Sequence, residues 1–201
     1  MIMKKKCLMF LCMISLIAMA ACGKTEKDTE SNPPVESVQE NKVDVADCTE
    51  LLAKVWDSYD EDQKFAISGG DYDNMVGNSA GAVNVDNAEN LDILFGMPAD
   101  GAAMVDEGAS IIHMMNANTF TAAAYHLKDS ASQQLVADLL KDNIMNRQWM
   151  CGFPDTLLIA SVGDDYMISA YGEAGNMEVF KEKLLAQYEV AEVIYEESLL
   201  E

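Results

Sequence analysis

Thr156-Leu157-Leu158-Ile159-Ala160-Ser161-Val162-Gly163-Asp164-Asp165-Tyr166-Met167-Ile168-Ser169-Ala170-Tyr171 decides the fold class. Two apolar runs of strand length flank Gly163-Asp164-Asp165, a turn signal, which is the pattern of a β-hairpin. Upstream, Ser130 and Gln133 predict a capping box for a helix running to about Trp149. Leu135, Val136, Leu139, Leu140 and Ile144 recur along it at helical spacing. Arg147 falls in the expected last turn, where the helix dipole favours a cation, and Gly152 and Pro154 supply a stop. Thr119 to Leu127, rich in Thr, Ala and aromatics, reads as a strand before that helix.

Downstream of the hairpin, Asn176 is a candidate cap for a second helix. Met177, Phe180, Leu184 and Tyr188 share one face of it, and Val190 to Glu196 reads as a last strand. From about 119 to 196 the order is therefore β-α-β-β-α-β, the order of a ferredoxin-like sheet. The expectation is an α+β domain with an antiparallel sheet and two helices on one of its faces.

Additions precede this unit. Asp47 to Tyr59 predicts an N-terminal helix, with Asp47 and Glu50 as its capping box and Leu51, Val55, Tyr59, Leu52 and Trp56 as its apolar side. Gly69 to Asn87 is a long polar stretch, the segment expected to serve recognition, since long polar loops in compact domains are often functional. Asp86 is expected to cap a short helix carrying Leu91, Leu94 and Phe95, ended by Gly96 and followed by a turn at Pro98. Ile111 to Met115 is a candidate extra strand.

The chain's start carries an address. Lys4, Lys5 and Lys6 form a positive n-region, and Cys7 to Met19 is apolar apart from Ser15. The run is short for a membrane span, which takes about 20 residues. Ala20 and Ala21 then lead into Cys22 and Gly23, the pattern of a lipobox, although Met19 stands where Leu is usual. Residues 1–21 are thus expected to be a lipoprotein signal peptide, with Cys22 as the lipidated N-terminus after cleavage. Diacylation of its thiol plus acylation of the new amine would give the several chains that stable anchoring needs. Residues 22–46, poor in apolar side chains and containing Pro33-Pro34, read as anchor and disordered tether, and 47–201 as one domain.

Charge narrows the partners. Three lysines leave with the signal, so the remaining chain has 34 acids against 10 basic residues, a net charge of −24. Nucleic acid is excluded as a partner, because its binding rests on Lys and Arg neutralising phosphates. Adsorption of the domain to anionic lipid is opposed as well, so the expected membrane contact is the N-terminal lipid.

Of five cysteines, Cys48 and Cys151 remain after the signal and the anchor are set aside. Outside the cytoplasm they can form a disulfide closing a loop of about a hundred residues, worth up to ~4.7 kcal/mol by the chain-entropy argument. Two independent buried thiols fit the sequence equally well.

No catalytic constellation stands out. Trp149-Met150-Cys151-Gly152-Phe153-Pro154 superficially resembles a thioredoxin active site, but Pro154 occupies the place of the resolving cysteine and no cysteine follows. His113 and His126 are the only histidines, and no HExxH or CxxC spacing accompanies them. Asp71, Asp73 and Asn74 lie in a Gly-rich segment but lack the downstream bidentate Glu of a calcium loop. Met114 and Met115 could suit a soft metal, though apolar Met more often belongs to a core. No catalytic residue, metal ligand or cofactor is therefore assigned.

His113-Met114-Met115-Asn116-Ala117-Asn118-Thr119-Phe120-Thr121 and Asn146-Arg147-Gln148-Trp149-Met150-Cys151-Gly152-Phe153-Pro154-Asp155 are distinctive. Together they resemble an uncharacterised family of lipoproteins from gut clostridia. Residues from about 110 to 196 are more distantly similar to a broader lipoprotein family known as a domain of unknown function. The resemblance implies an anchored extracytoplasmic domain and brings no active-site residues. Some members carry the label bacteriocin transport accessory protein. Two functions are thus expected: a non-enzymatic module on the outer face of the cell membrane binding a protein, peptide or small ligand, or an accessory thiol protein for exported peptides.

Overall fold

The computed structural model describes residues 41–150 and 152–200. The expected signal peptide, Cys22, most of the expected tether and Cys151 lie outside the described residues. Among the described residues the fold is α+β, with five α-helices and an eight-stranded, antiparallel, open sheet.

Chain entry comes earlier than expected. Asn41 donates its N–H to the Asp164 carboxylate at 2.9 Å, and its carbonyl accepts from the Asp164 N–H at 3.2 Å. Val43 and Val45 pack on the core. Residues 41–46, read from sequence as the end of the tether, thus belong to the folded body.

Helix α1 spans Cys48–Asp57. Its capping box forms: the Asp47 carboxylate accepts from the Glu50 N–H at 2.7 Å, and the Glu50 carboxylate reaches back to the Ala46 N–H. Leu51, Leu52, Val55 and Trp56 are buried, as the apolar spacing requires. Each Leu→Ala there would cost about 2–5 kcal/mol.

The polar stretch at 69–87 is largely stitched into the sheet. It contributes part of β1 (Ile67–Gly69), β2 (Val76–Gly77) and β3 (Gly81–Ala82). Strand β4 runs Val105–His113, well beyond the expected Ile111–Met115. β1 and β3 pair in tandem along one edge of β4, through Ile67↔His113 and Gly81↔Ser110. Where they meet, a Cβ on Gly69 would stand 2.2 Å from the Gly81 nitrogen, so only glycine permits the approach. The buried Ser110 hydroxyl donates to the Gly70 carbonyl at 2.7 Å and satisfies it. Between β3 and β4, helix α2 (Ala88–Phe95) is capped by Asn87, one residue later than expected, and ends at left-handed Gly96. α3 (Ala99–Ala102) follows Pro98.

The predicted unit then appears as β5 (Phe120–Leu127), α4 (Gln133–Met145), β6 (Thr156–Val162), β7 (Tyr166–Gly172), α5 (Ala174–Gln187) and β8 (Ala191–Ser198). Its element order is the expected one, but its sheet order is not ferredoxin-like. The strands run β2-β1-β4-β5-β7-β6-β8. A ferredoxin-like sheet brings the last strand back beside the first; here β4 holds that place beside β5, and β8 lies outside β6.

The same change moves the helices. β5 and β6 are parallel with β7 between them, and β7 and β8 are parallel with β6 between them. Both crossovers step the same way across the sheet from strands of opposite direction. Connections of one hand then place their helices on opposite faces. α5 indeed packs with α1 on Phe120, Ala122, Ile168 and Ala170, while α4 packs with α2 on Ala123, Tyr125, Ile159 and Tyr171. The expectation of two helices on one face is overturned, and three layers result. Buried on both sides, β5, β6 and β7 are nearly continuous apolar runs.

Candidate functional site

The two distinctive segments meet at one end of the sheet. Asn116 makes a tight turn after β4: its side-chain oxygen accepts from the Asn118 N–H at 3.0 Å, and its carbonyl accepts from the Thr119 N–H at 3.0 Å. The Asn118 side-chain amide donates to the Met150 carbonyl at 2.9 Å and the Gly152 carbonyl at 3.0 Å. Asparagine thus fastens the segment after α4 onto the β4–β5 turn.

That segment is not helical. α4 stops at Met145, short of the expected Trp149, with Asn146 as C-cap, so Gly152 and Pro154 are not its stop. At its start the capping box from Ser130 and Gln133 does not form. Asp129 instead caps a single 3-10 turn over Ser130–Ser132, and the Gln133 side chain donates to the Gly163 carbonyl at 3.0 Å. Past the C-cap, Arg147 turns back toward α2 and donates to the Ile93 carbonyl and, at 3.5 Å, to the Tyr171 hydroxyl. The Tyr171 hydroxyl in turn donates to the Leu94 carbonyl at 2.8 Å. The guanidinium lies 5.0 Å from the Trp149 ring centre, and Trp149 meets Tyr171 edge-on at 5.0 Å.

Beside this network opens a groove of about 360 Å³ lined by Met145, Arg147, Trp149, Phe153, Leu199 and Leu200. Large apolar side chains stand exposed at this end of the sheet: Phe153 of the groove at 66 %, and Met115 and Met150, from the two joined segments, at 83 % and 81 %. Met114 is exposed too, so the methionine pair is a surface feature and not core. Flexible, polarisable methionines on a surface suit adaptable apolar contact. Strand β6 separates this rim from Asn41: Phe153 precedes its first residue, and Asn41 bonds the turn after its last.

The other sequence candidates have structural roles. His113 lies on Phe65 at 4.8 Å, and its Nδ1 accepts from the Met115 and Asn116 N–H groups at 3.2 and 3.3 Å. His126 Nδ1 lies 2.6 Å from the Asp106 carboxylate at the opposite end of the β4–β5 pair. The two histidines therefore do not converge. Among the described residues no group of three His, Cys, Asp or Glu side chains could hold a metal ion. The buried Asp71 carboxylate accepts from the Asp73 N–H at 3.0 Å, the Asn74 N–H at 3.0 Å and the Asn84 N–H at 2.7 Å. Burial opposes its ionisation, but these bonds prevail and hold its pKa below the usual range. Its oxygens are engaged in holding the loop, not turned to a cation.

Cys48 is a buried free thiol. Burial, reinforced by the adjacent Glu107 carboxylate, pushes its pKa well up, the reverse of an activated thiolate. Cys151, the other half of the disulfide left open from sequence, lies outside the described residues. Cys48 sits against Glu107, which pairs with His126, while Met150 and Gly152 are held at the Phe120 end of the same strand.

The rim was hidden in the sequence because its parts come from separate segments. Their shared exposure depends on the early end of α4, which no capping signal announced.

No helix of the described residues is long and apolar enough to cross a membrane. No family model, no curated protein and no solved structure matches the chain.

Proposed function

We propose that the protein is a lipid-anchored, non-enzymatic binding module on the extracytoplasmic face of the cell membrane, engaging its partner through the apolar rim. The observation that carries this reading is the exposure of Met115, Met150 and Phe153 at the end of the sheet opposite Asn41. Exposed large apolar groups gathered in one region mark interaction sites more often than solvated surface does. The anchor at Cys22 rests on Ala20-Ala21-Cys22-Gly23 behind the apolar run. The reading as an accessory thiol protein gains nothing from Cys48, whose thiol is buried and hard to ionise.

The test is photo-crosslinking in native cells. A photoreactive residue at Met115 is expected to capture a discrete partner, and one at Ser130, exposed at the Asn41 end, is not. Equal capture from both positions, or from neither, would remove the rim from the proposal. Cys22→Ser is expected to release the protein from the membrane fraction, and retention would refute the anchor.

A further inference from the structure

We infer that the groove beside Trp149 is a binding site for a small monocarboxylate with an apolar or aromatic body, Arg147 taking the carboxylate. The inference deepens the binding-module reading and rests on it. Arg147 is the only arginine in a chain with 34 acids. Acidic partners abound, and Lys54, Lys64, Lys181 and Lys183 each hold one within 3.1 Å. Arg147 pairs with no carboxylate among the described residues. Its bonds go to the Ile93 carbonyl and the Tyr171 hydroxyl, neutral groups that fix the side chain without neutralising it. Two of the five N–H donors of a guanidinium are thereby used, and three remain for a carboxylate.

The surroundings supply the rest of the specificity. Trp149 under the guanidinium and Phe153, Met145 and Leu200 along the groove offer an apolar bed. About 360 Å³ suits a small molecule and not a folded partner. The chain's net negative charge repels anions in general, so a cationic corner joined to an apolar groove selects for a ligand that pairs a single carboxylate with an apolar body; the other described cation–aromatic pair, Lys141 over Tyr195, lines no such groove.

The experiment uses the whole mature chain released from the membrane by Cys22→Ser. Its indole N–H signals are followed in ¹⁵N spectra while 4-phenylbutyrate, its amide and the matching amine are added. The acid is expected to shift the Trp149 signal saturably, leaving that of the buried Trp56 unmoved. The amide should bind about tenfold more weakly, or worse, because it loses the charge-assisted bonds. Arg147→Gln should abolish the preference for acid over amide. Phe153→Ala, at an exposed position, should weaken the acid several-fold in a protein that stays folded, which keeps the test decisive if Arg147→Gln unfolds. Equal binding of acid and amide overturns the inference, as does an unchanged Kd in Phe153→Ala. So does the absence of any shift with the acid at millimolar concentration. Failure here with Met115 crosslinking intact sinks the carboxylate and leaves the rim.

Discussion

Asn118 holds Gly152 to the rim: its side-chain amide donates to the Gly152 carbonyl at 3.0 Å while the same nitrogen donates to Met150 at 2.9 Å. One side chain thus orders a segment that lies outside helix and strand. Asn118→Ala is expected to lower global stability by only about 1 kcal/mol, the net worth of exchanging such bonds for water. Local consequences should be larger. Amide exchange at Met150 and Gly152 should rise toward that of an open loop while the strand amides of β5 keep their protection. Unchanged exchange at both positions would show that the clamp is dispensable.

The Asp71 carboxylate performs the same service for the segment between β1 and α2, and from a buried position. Asp71→Asn keeps the shape but replaces one acceptor oxygen by an NH₂ facing N–H groups. Leaving a buried group unmatched costs about 1–3 kcal/mol, and that is the expected loss of stability in a denaturant melt at pH 7. The pH dependence follows from the lowered pKa. Stability from Asp71 is fully present above the unfolded value near 3.9 and is lost as pH falls through the lower folded value. The gap between wild type and Asp71→Asn should therefore narrow only below about pH 4. A gap constant down to pH 2 would mean that the charge plays no part. Calcium should leave the melting temperature unchanged, since it would have to displace these bonds.

How much of this was legible in the sequence depends on the distance over which each signal acts. α1 was readable because its cap and its apolar face are local, Asp47 to Trp56. β6 was read to the residue, because Gly163-Asp164-Asp165 marks its end and Thr156 its start. β1, β2 and β3 were not, because strands of two or three residues rich in glycine carry no period. β1 and β3 exist only through pairing with β4, and β2 through pairing with β1. Likewise the choice between a ferredoxin-like order and the observed one is made by β4 occupying the edge of β5, a contact the β-α-β-β-α-β string does not contain. Arg147 was placed by its spacing in a helix end. Its actual role, bridging to Ile93 and Tyr171, depends on residues 54 and 24 positions away.

Cys48 should behave as an inert core residue. Its burial and the Glu107 carboxylate disfavour the thiolate, so reaction with an aromatic disulfide reagent at pH 8 should run about a hundredfold or more slower than for a model thiol, limited by opening of the fold. Denatured without reductant, the mature Cys22→Ser chain should titrate two thiols, Cys48 and Cys151. A count of zero would establish the disulfide.

The last prediction concerns the junction of β1 and β3. Gly69 and Gly81 meet backbone to backbone: a Cβ on Gly69 would stand 2.2 Å from the Gly81 nitrogen and 2.5 Å from the Ser79 carbonyl oxygen. These are main-chain atoms, so no side-chain rotation relieves the clash, and β3 must leave the edge of β4 or β1 must shift. Gly69→Ala is expected to cost about 1–3 kcal/mol, the usual price of overpacking. The effect should spread to Ser110, whose buried hydroxyl donates to the neighbouring Gly70 carbonyl. Gly77 in β2 is the control, because a Cβ there meets nothing within 4 Å. Gly77→Ala should be neutral or slightly stabilising by restricting the unfolded chain. Denaturant melts of the two variants side by side decide the matter. Equal stability of the pair would mean that β3 does not depend on the close approach, and that the 69–87 segment is free to leave the sheet.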